Sequence, residues 1–186
     1  VSVDGDTSTS DTVLLLANGA SGLAVEKASS VAAFGDALTQ LCRKLAAMIV
    51  RDGEGVSRFV TVRVGGARTE ADAHRIANTI ATSPLVKTAF AGGDPNWGRI
   101  MMAAGRAGVP IDQHRIALWV GERDNAYLPL VAHGTPCDYD DADAERIFGQ
   151  PEFSIHHDLG LGDAETTVWT GDLTRDYVTI NSDYRT

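Results

Sequence analysis

The sequence has few of the residues that mark disulfide-rich, secreted or membrane proteins. Only two of its 186 residues are cysteines, Cys42 and Cys137, and neither stands in a CxxC or other metal-ligand spacing. Two such thiols are typical of a reducing compartment. The apolar runs are far shorter than the roughly 20 residues of a membrane-spanning helix, and residues 1–4 do not begin a signal peptide. These absences predict a soluble, cytoplasmic protein.

Basic residues are also scarce. The chain has 16 Lys and Arg against 25 Asp and Glu, which gives a formal net charge of -9. A surface of this charge repels phosphate backbones, so we expect no nucleic-acid partner. It tolerates or attracts small cationic metabolites. Hydrophobic residues make up 44% of the chain, which is ordinary for a protein with a packed core.

The common cofactor, hydrolase and metal motifs are missing. There is no GxxxxGK[ST], no strand-linked GxGxxG and no GxSxG, so we predict no bound cofactor and no serine-hydrolase site. His156, His157 and Asp158 are adjacent, which invites a metal interpretation. In a strand, however, neighbouring side chains point to opposite faces, so only one of the histidines could bind a given ion. We therefore predict no metal site.

The apolar pattern predicts a mixed α/β or α+β chain whose second half is richer in strand. We expect helices over 31–50, from an N-cap at Thr69 to about residue 81, from an N-cap at Asp94 through Met102, and over 143–148. Another segment is expected to start at Ser83 and Pro84. The expected strands are 12–17, 59–64, 115–120, 127–131, 152–156, 166–169 and 177–180. A weak domain boundary is expected near Gly55, where the long helix gives way to a strand.

The segment 92–99 (GGDPNWGR) is the most unusual in the chain. Asp94 can cap a helix with Pro95 at its first position, and a helix N-terminus favours anions. The segment could therefore form one wall of a site for a carboxylate-bearing ligand. The alternative is a rigid turn pinned by a buried Trp97, and the pattern alone favours that alternative.

Glu54 and the last residues of the chain allow two interpretations each. Glu54 follows a helix C-terminus, where an acidic group is disfavoured by up to about 1 kcal/mol, and could bind a substrate ammonium. It could equally be a solvated loop residue. The polar tail 181–186 could line a site if it were docked, or could be the solvated end of an edge strand. Spacing alone favours the solvated interpretation in both cases.

Three segments, in the right order, carry a resemblance to a known enzyme family. They are residues 3–16 (VDGDTSTSDTVLLL), residues 85–89 (LVKTA) running into 93–99 (GDPNWGR), and residues 177–186 (YVTINSDYRT). With these segments the chain resembles the ornithine acetyltransferases, also called glutamate N-acetyltransferases, and specifically their β chain. The resemblance runs from the first residue to the last.

The resemblance implies an acyltransferase of arginine metabolism. A precursor of this family cuts itself before a threonine, and the resulting α and β chains remain together, as an expected α2β2 heterotetramer. The new N-terminal threonine is the nucleophile and its α-amine the base. N-acetylornithine acetylates the threonine, ornithine leaves, and glutamate takes the acetyl group in a ping-pong reaction, with the oxyanion hole in the α chain.

The resemblance also implies a fold and a set of site residues. Residues 1–55 are expected to belong to an N-terminal-nucleophile-like layered sandwich shared with the α chain. Residues 56–186 are expected to form a smaller C-terminal α+β domain whose tail returns to the active site. Glu54 is expected to meet an ammonium of ornithine, while Asn181 and Thr186 hydrogen-bond the polar head of the substrate.

The nucleophile itself is expected outside this sequence. In the resemblance it lies upstream of Val1, so we expect no catalytic residue in these residues and no activity from them alone. Two other functions stay open. One is a self-processing aminopeptidase or amidase with an N-terminal nucleophile, in which water replaces glutamate. The other is a non-catalytic subunit that has lost its nucleophile.

Overall fold

Residues 1–183 are described by a computed structural model, in which six strands join in one mixed sheet. The helices are α1 (Ala28–Arg51), α2 (Glu70–Ala81), α3 (Pro84–Gly92), α4 (Trp97–Gly105), α5 (Asp141–Phe148) and α6 (Arg175–Asp183). The strands are β1 (Phe59–Ala67), β2 (Ala117–Glu122), β3 (Leu128–Ala132), β4 (Thr135–Pro136), β5 (Glu152–Asp158) and β6 (Ala164–Gly171). The predicted α/β mixture is confirmed.

The order of the strands across the sheet is β4-β3-β2-β5-β1-β6. β1 pairs in parallel with β5, and the other neighbours are antiparallel. All six strands follow residue 55, in the part of the chain predicted to be the smaller domain. The division into a shared sandwich over 1–55 and a second domain over 56–186 stays a prediction.

One face of the sheet forms the core with helices α2 to α5. Val60, Val62 and Val64 of β1 are fully buried, whereas Arg63 between them is exposed on the other face. This alternation follows from the two-residue period of a strand. The core also contains an aromatic cluster in which Phe153 lies edge-on to Phe90, with ring centroids 5.4 Å apart.

Of the two helix N-caps predicted from the sequence, the structure confirms that of α2 but not that of α4. Thr69 caps α2 as predicted, because its Oγ1 accepts a hydrogen bond from the N–H of Asp72 at 3.1 Å. The predicted cap of α4 was wrong: Asn96 Oδ1 accepts from the N–H of Arg99, and Asp94 instead belongs to the end of α3. The N–H of Asp94 donates to Ala89 O at 2.9 Å, closing a helix whose C-cap Gly93 has a φ of 65°.

Two predicted strands are absent from the described residues. Residues 12–17 form neither a strand nor a helix, and the Leu16 side chain is 91% exposed. A strand needs a hydrogen-bonded neighbour, and an apolar run alone does not supply one. Residues 177–180 lie in α6, because Thr174 Oγ1 accepts from the N–H of Tyr177 and Asp176 favours the helix N-terminus.

Helix α1 keeps its apolar face exposed. Within the described residues, only Val50 of this helix is buried. We define the α1 surface as its half-exposed apolar side chains together with the exposed ones of the preceding segment: Val31, Phe34, Leu41, Leu45, Met48, Ile49, Val13, Leu14, Leu15, Leu16, Leu23 and Val25. Val13 and Leu14 lie beside Leu45, Met48 and Ile49, and exposed apolar side chains that group together are typical of interaction sites. No helix within residues 1–183 is long and apolar enough to cross a membrane.

Lys87 of α3 is a fully buried charged side chain, with an exposed fraction of 1%. Its Nζ donates to Thr170 Oγ1 at 2.9 Å and to Gly171 O, both at the end of β6. Burial lowers the pKa of Lys87 to about 8, against the opposing effect of the Asp172 carboxylate. Burial disfavours the charged form of the amine, and the hydrogen bonds to neutral oxygen atoms offset only part of that cost.

We expect Lys87→Met to remove a pH dependence of stability. Because the pKa of Lys87 is lower in the folded than in the unfolded protein, the free energy of unfolding rises between pH 8 and about pH 10. The rise attributable to this lysine is on the order of 3 kcal/mol. Thermal unfolding at both pH values should show it in the parent and in an exposed-site control, Lys44→Met, but not in Lys87→Met. Equal pH responses in all three proteins would contradict this assignment.

Candidate functional site

A hydrogen bond joins two of the residues that the resemblance assigns to the substrate site. Glu54 lies in the turn after α1, and Asn181 lies in the last turns of α6, 127 positions away. Asn181 Nδ2 donates to Glu54 Oε2 at 2.7 Å and to Tyr177 O at 3.0 Å. Both amide hydrogens are therefore used within the protein. Among residues 1–183, no donor bonds to Asn181 Oδ1, so this oxygen and the Glu54 carboxylate present only acceptors to a ligand.

The turn that carries Glu54 is held against the start of α6. Thr174 Oγ1 donates to Gly55 O at 2.6 Å, and Gly55 has a φ of 66°. A Cβ at this position would overlap the Tyr177 nitrogen and come within 2.9 Å of the Asp176 carbonyl carbon. Glycine is thus required both for the backbone conformation and for the close approach of the helix. This contact brings Asn181, further along α6, over Glu54.

Tyr177 links α6 to the first residues of the chain. Its hydroxyl donates to Asp4 Oδ2 at 3.1 Å, and Asp4 Oδ1 accepts from the N–H of Asp6 at 2.9 Å. Burial of the ring raises the pKa of Tyr177, and the carboxylates of Asp4, Asp6 and Glu54 raise it further. The phenol therefore remains a neutral donor throughout the physiological range. Ser2 holds the same segment on the edge of β6, with its N–H 3.0 Å from Trp169 O.

The surface beside Glu54 is an open acidic depression. We define the acidic depression by its five carboxylates, which are Asp4, Asp6, Asp11, Asp52 and Glu54. In the described part of the chain, its lining includes neither lysine nor arginine. Such a field attracts a small cation, and the carboxylates and the amide oxygen can accept its hydrogen bonds. The chemistry that these groups support is recognition of a cationic donor.

The side chains of the 94–99 loop hydrogen-bond to one another and to α3. Asn96 Nδ2 donates to Asp94 Oδ2 at 3.1 Å, and Arg99 Nη1 donates to Leu85 O at 3.0 Å. Trp97 packs on the hydrophobic core. Because Asn96 already caps α4 and the Asp94 carboxylate lies beside it, this helix N-terminus is unfavourable for an anion. These contacts favour the rigid-turn interpretation.

The remaining residues considered in the sequence analysis are Thr186, the two adjacent histidines and the two cysteines. Thr186 lies outside the described residues. His157 is fully buried with Nδ1 3.0 Å from Ala117 O, and burial lowers its pKa, while His156 lies on the opposite face of β5. Cys42 and Cys137 are free thiols. Among residues 1–183, no cluster of three His, Cys, Asp or Glu could hold a metal ion.

Several residues of this region were not predicted from the sequence. Asp4, Thr174 and Tyr177 all contribute hydrogen bonds to it, and Gly55 provides the close approach. One signal was available: Tyr177 and Asn181 are four positions apart, so they share a face if the tail is a helix. The apolar alternation of 177–180 pointed instead to a strand.

Gly55→Ala should separate α6 from the turn that carries Glu54. The new Cβ strains a positive φ and overlaps the helix backbone, which together should cost more than about 2 kcal/mol. Hydrogen exchange of the α6 amides should accelerate at least tenfold. The matched control is Gly92→Ala, since a Cβ there meets nothing within 4 Å and residue 92 is helical. Unchanged exchange in Gly55→Ala would show that the contact does not hold α6.

Comparison with known proteins gives consistent matches over the whole chain. The model of the ArgJ family matches residues 1–186. The arginine biosynthesis bifunctional protein ArgJ, mitochondrial, of Schizosaccharomyces pombe is 46% identical, over 100% of this chain and 42% of the relative. The glutamate N-acetyltransferase of Methanopyrus kandleri is 44% identical, over 100% of this chain and 48% of the relative. The chain thus spans less than half the length of these curated relatives.

A solved structure confirms the fold class. The crystal structure of the arginine biosynthesis bifunctional protein argJ from Bacillus halodurans superposes with a TM-score of 0.90. The match covers 98% of this chain and 85% of that chain, at 35% sequence identity. The mixed sheet and its helices are therefore shared with that protein.

Proposed function

The chain belongs to the ArgJ family, and on that premise we propose that it is the substrate-binding part of an acetyltransferase of arginine biosynthesis. The complete enzyme moves the acetyl group of N-acetylornithine to glutamate. The observation that carries the proposal is the hydrogen bond from Asn181 to Glu54 beside the acidic depression. It supports a site that presents acceptors to an ammonium group.

The proposed reaction has two half-steps. A threonine hydroxyl, supplied by polypeptide ahead of Val1, attacks the acetyl carbonyl and passes its proton to the threonine α-amine. The amide C–N bond breaks, ornithine leaves with the proton on its α-nitrogen, and the threonine ester remains. The amine of glutamate then attacks this ester, which releases N-acetylglutamate and returns the proton to the hydroxyl. The residues of this chain bind and orient the substrates.

The ammonium of N-acetylornithine identifies the part of the substrate that Glu54 binds. Because the α-nitrogen is acetylated, the side-chain ammonium is the only cation of this molecule. Glu54 and Asn181 Oδ1 accept its hydrogen bonds, and Asp4 and Asp6 add negative potential nearby. We keep Thr186, which lies outside the described residues, as a further hydrogen-bonding partner of the substrate's polar head.

Glu54→Gln in the complete enzyme should reduce recognition of the ammonium while the fold and self-cleavage persist. The test compares kcat/KM for N-acetylornithine with that for N-acetylnorvaline, which has the same chain without the ammonium. Loss of a charge-assisted hydrogen bond should lower the ratio of the two values about 10- to 100-fold. Glu54→Ala should lower it similarly, whereas Glu26→Gln, at an exposed position, should not. An unchanged ratio in Glu54→Gln removes Glu54 from the site.

We propose that the partner of the α1 surface is the α chain of the same precursor, assembled as α2β2. Two observations support this partner. The chain spans less than half the length of its curated relatives, so each relative has further polypeptide that could pack here. The α1 surface is apolar along one face of a helix, which is typical of an obligate interface between two chains.

Leu45→Asp should weaken the association of the two chains. Leu45 belongs to the α1 surface and is 46% exposed, and a buried carboxylate there would replace a favourable contact with a desolvation cost. Co-expressed chains should then separate on size exclusion, with an affinity at least 100-fold lower. Met102→Asp, at a 42% exposed position on α4, is the control and should leave the complex intact. Co-elution of the Leu45→Asp chain with its partner would refute this interface.

A further inference from the structure

The Asp172 carboxylate is buried at the end of β6, with a side-chain exposure of 0%. Its Oδ1 accepts from the N–H of Ser57 at 2.8 Å and from that of Arg58 at 3.1 Å. Its Oδ2 accepts from Ser57 Oγ and lies 4.0 Å from the Arg58 guanidinium. A buried carboxylate is stable only with such partners. One side chain therefore fixes the backbone at residues 57 and 58, where the chain enters β1.

Thr174 makes the second attachment, two residues after Asp172. Its Oγ1 donates to Gly55 O at 2.6 Å and accepts from the N–H of Tyr177 at 3.4 Å. A single hydroxyl thus joins the turn after α1 to the first turn of α6. Residues 55–58 are consequently attached to residues 172–177 at two points.

The contact between Glu54 and Asn181 depends on these attachments. Both side chains are exposed, and an exposed polar pair contributes little stability of its own because water competes with it and two side chains must be ordered. The separation of the two side chains must therefore be fixed by the backbones that carry them. Those backbones meet through Thr174 and Asp172, which are half-buried and buried respectively.

We propose that Asp172 and Thr174 are positioning residues that hold Glu54 against Asn181 so that the pair recognises the substrate ammonium. This inference rests on the proposed function of Glu54. Neither residue touches the substrate. Each acts through the backbone of the turn and of α6, so the effect of losing either one should appear in ammonium recognition specifically.

The readout is again the ratio of kcat/KM for N-acetylornithine to that for N-acetylnorvaline, measured with the complete enzyme. A purely structural role changes the amount of active enzyme, which cancels in this ratio. Thr174→Val keeps the shape and removes the hydroxyl, and we expect it to lower the ratio three- to tenfold. Thr174→Ser restores the hydroxyl and should recover the parent ratio. Asp172→Asn should lower the ratio at least threefold, because the amide presents a donor towards groups that need an acceptor.

The matched control is Thr179→Val on the same helix. Its hydroxyl donates to Arg175 O within α6, so its removal should leave the ratio unchanged. In a Glu54→Gln background, neither Thr174→Val nor Asp172→Asn should lower the ratio further, since the group that they position is already absent. A further decline in the double variants would overturn the proposal, because the residues would then act by another route.

The outcomes separate this inference from the proposed function. A reduced ratio in Glu54→Gln with an unchanged ratio in Thr174→Val and Asp172→Asn overturns the positioning role and leaves Glu54 in the site. An unchanged ratio in Glu54→Gln overturns the proposed function of that residue, and the positioning role with it. If Asp172→Asn does not fold, Ser57→Ala replaces it, since it removes only the hydroxyl that donates to Asp172.

Discussion

In the proposed arrangement, the candidate site depends on the hydrogen bonds that the buried carboxylate of Asp172 accepts. Burying this charge costs desolvation free energy, and the hydrogen bonds donated by Ser57 and Arg58 offset that cost. Lys87 approaches the same end of β6 from α3 and donates to the preceding carbonyl, that of Gly171. The attraction between Lys87 and Asp172 opposes the burial that lowers the lysine pKa. Sheet, helix and turn therefore meet at one polar junction inside an apolar core.

The fold has a complete part and an incomplete part. The sheet and helices α2 to α5 bury their apolar side chains against one another, as the fully buried Val62 and Phe90 illustrate. Helix α1 buries only Val50 within the described residues, although its apolar positions recur with helical spacing. The amphipathic pattern therefore predicted the helix correctly. It did not specify the partner of the helix, because apolar periodicity shows which face is buried in an assembly but not which polypeptide buries it.

The sequence predicted the features that depend on interactions between residues close together in the chain, but not those that depend on distant ones. Local signals located β1 and the cap at Thr69, since strand alternation and a capping hydroxyl act within a few residues. The prediction failed at 177–180, where β-branched residues outweighed the capping of α6 by Thr174. Glu54 and Asn181 came from the family resemblance. Their contact spans 127 positions, and no local pattern encodes a contact at that range.

Exposure to water limits how strongly Glu54 can attract an ammonium group. An ammonium bound by Glu54 gains little in a high-dielectric surrounding and considerably more where solvent is excluded. Val13 and Ile49 belong to the α1 surface and also line the acidic depression. The polypeptide proposed to cover the α1 surface would therefore also remove water from beside Glu54. Assembly and substrate recognition are then physically coupled, because the contact that completes the apolar interface also lowers the dielectric around the carboxylate.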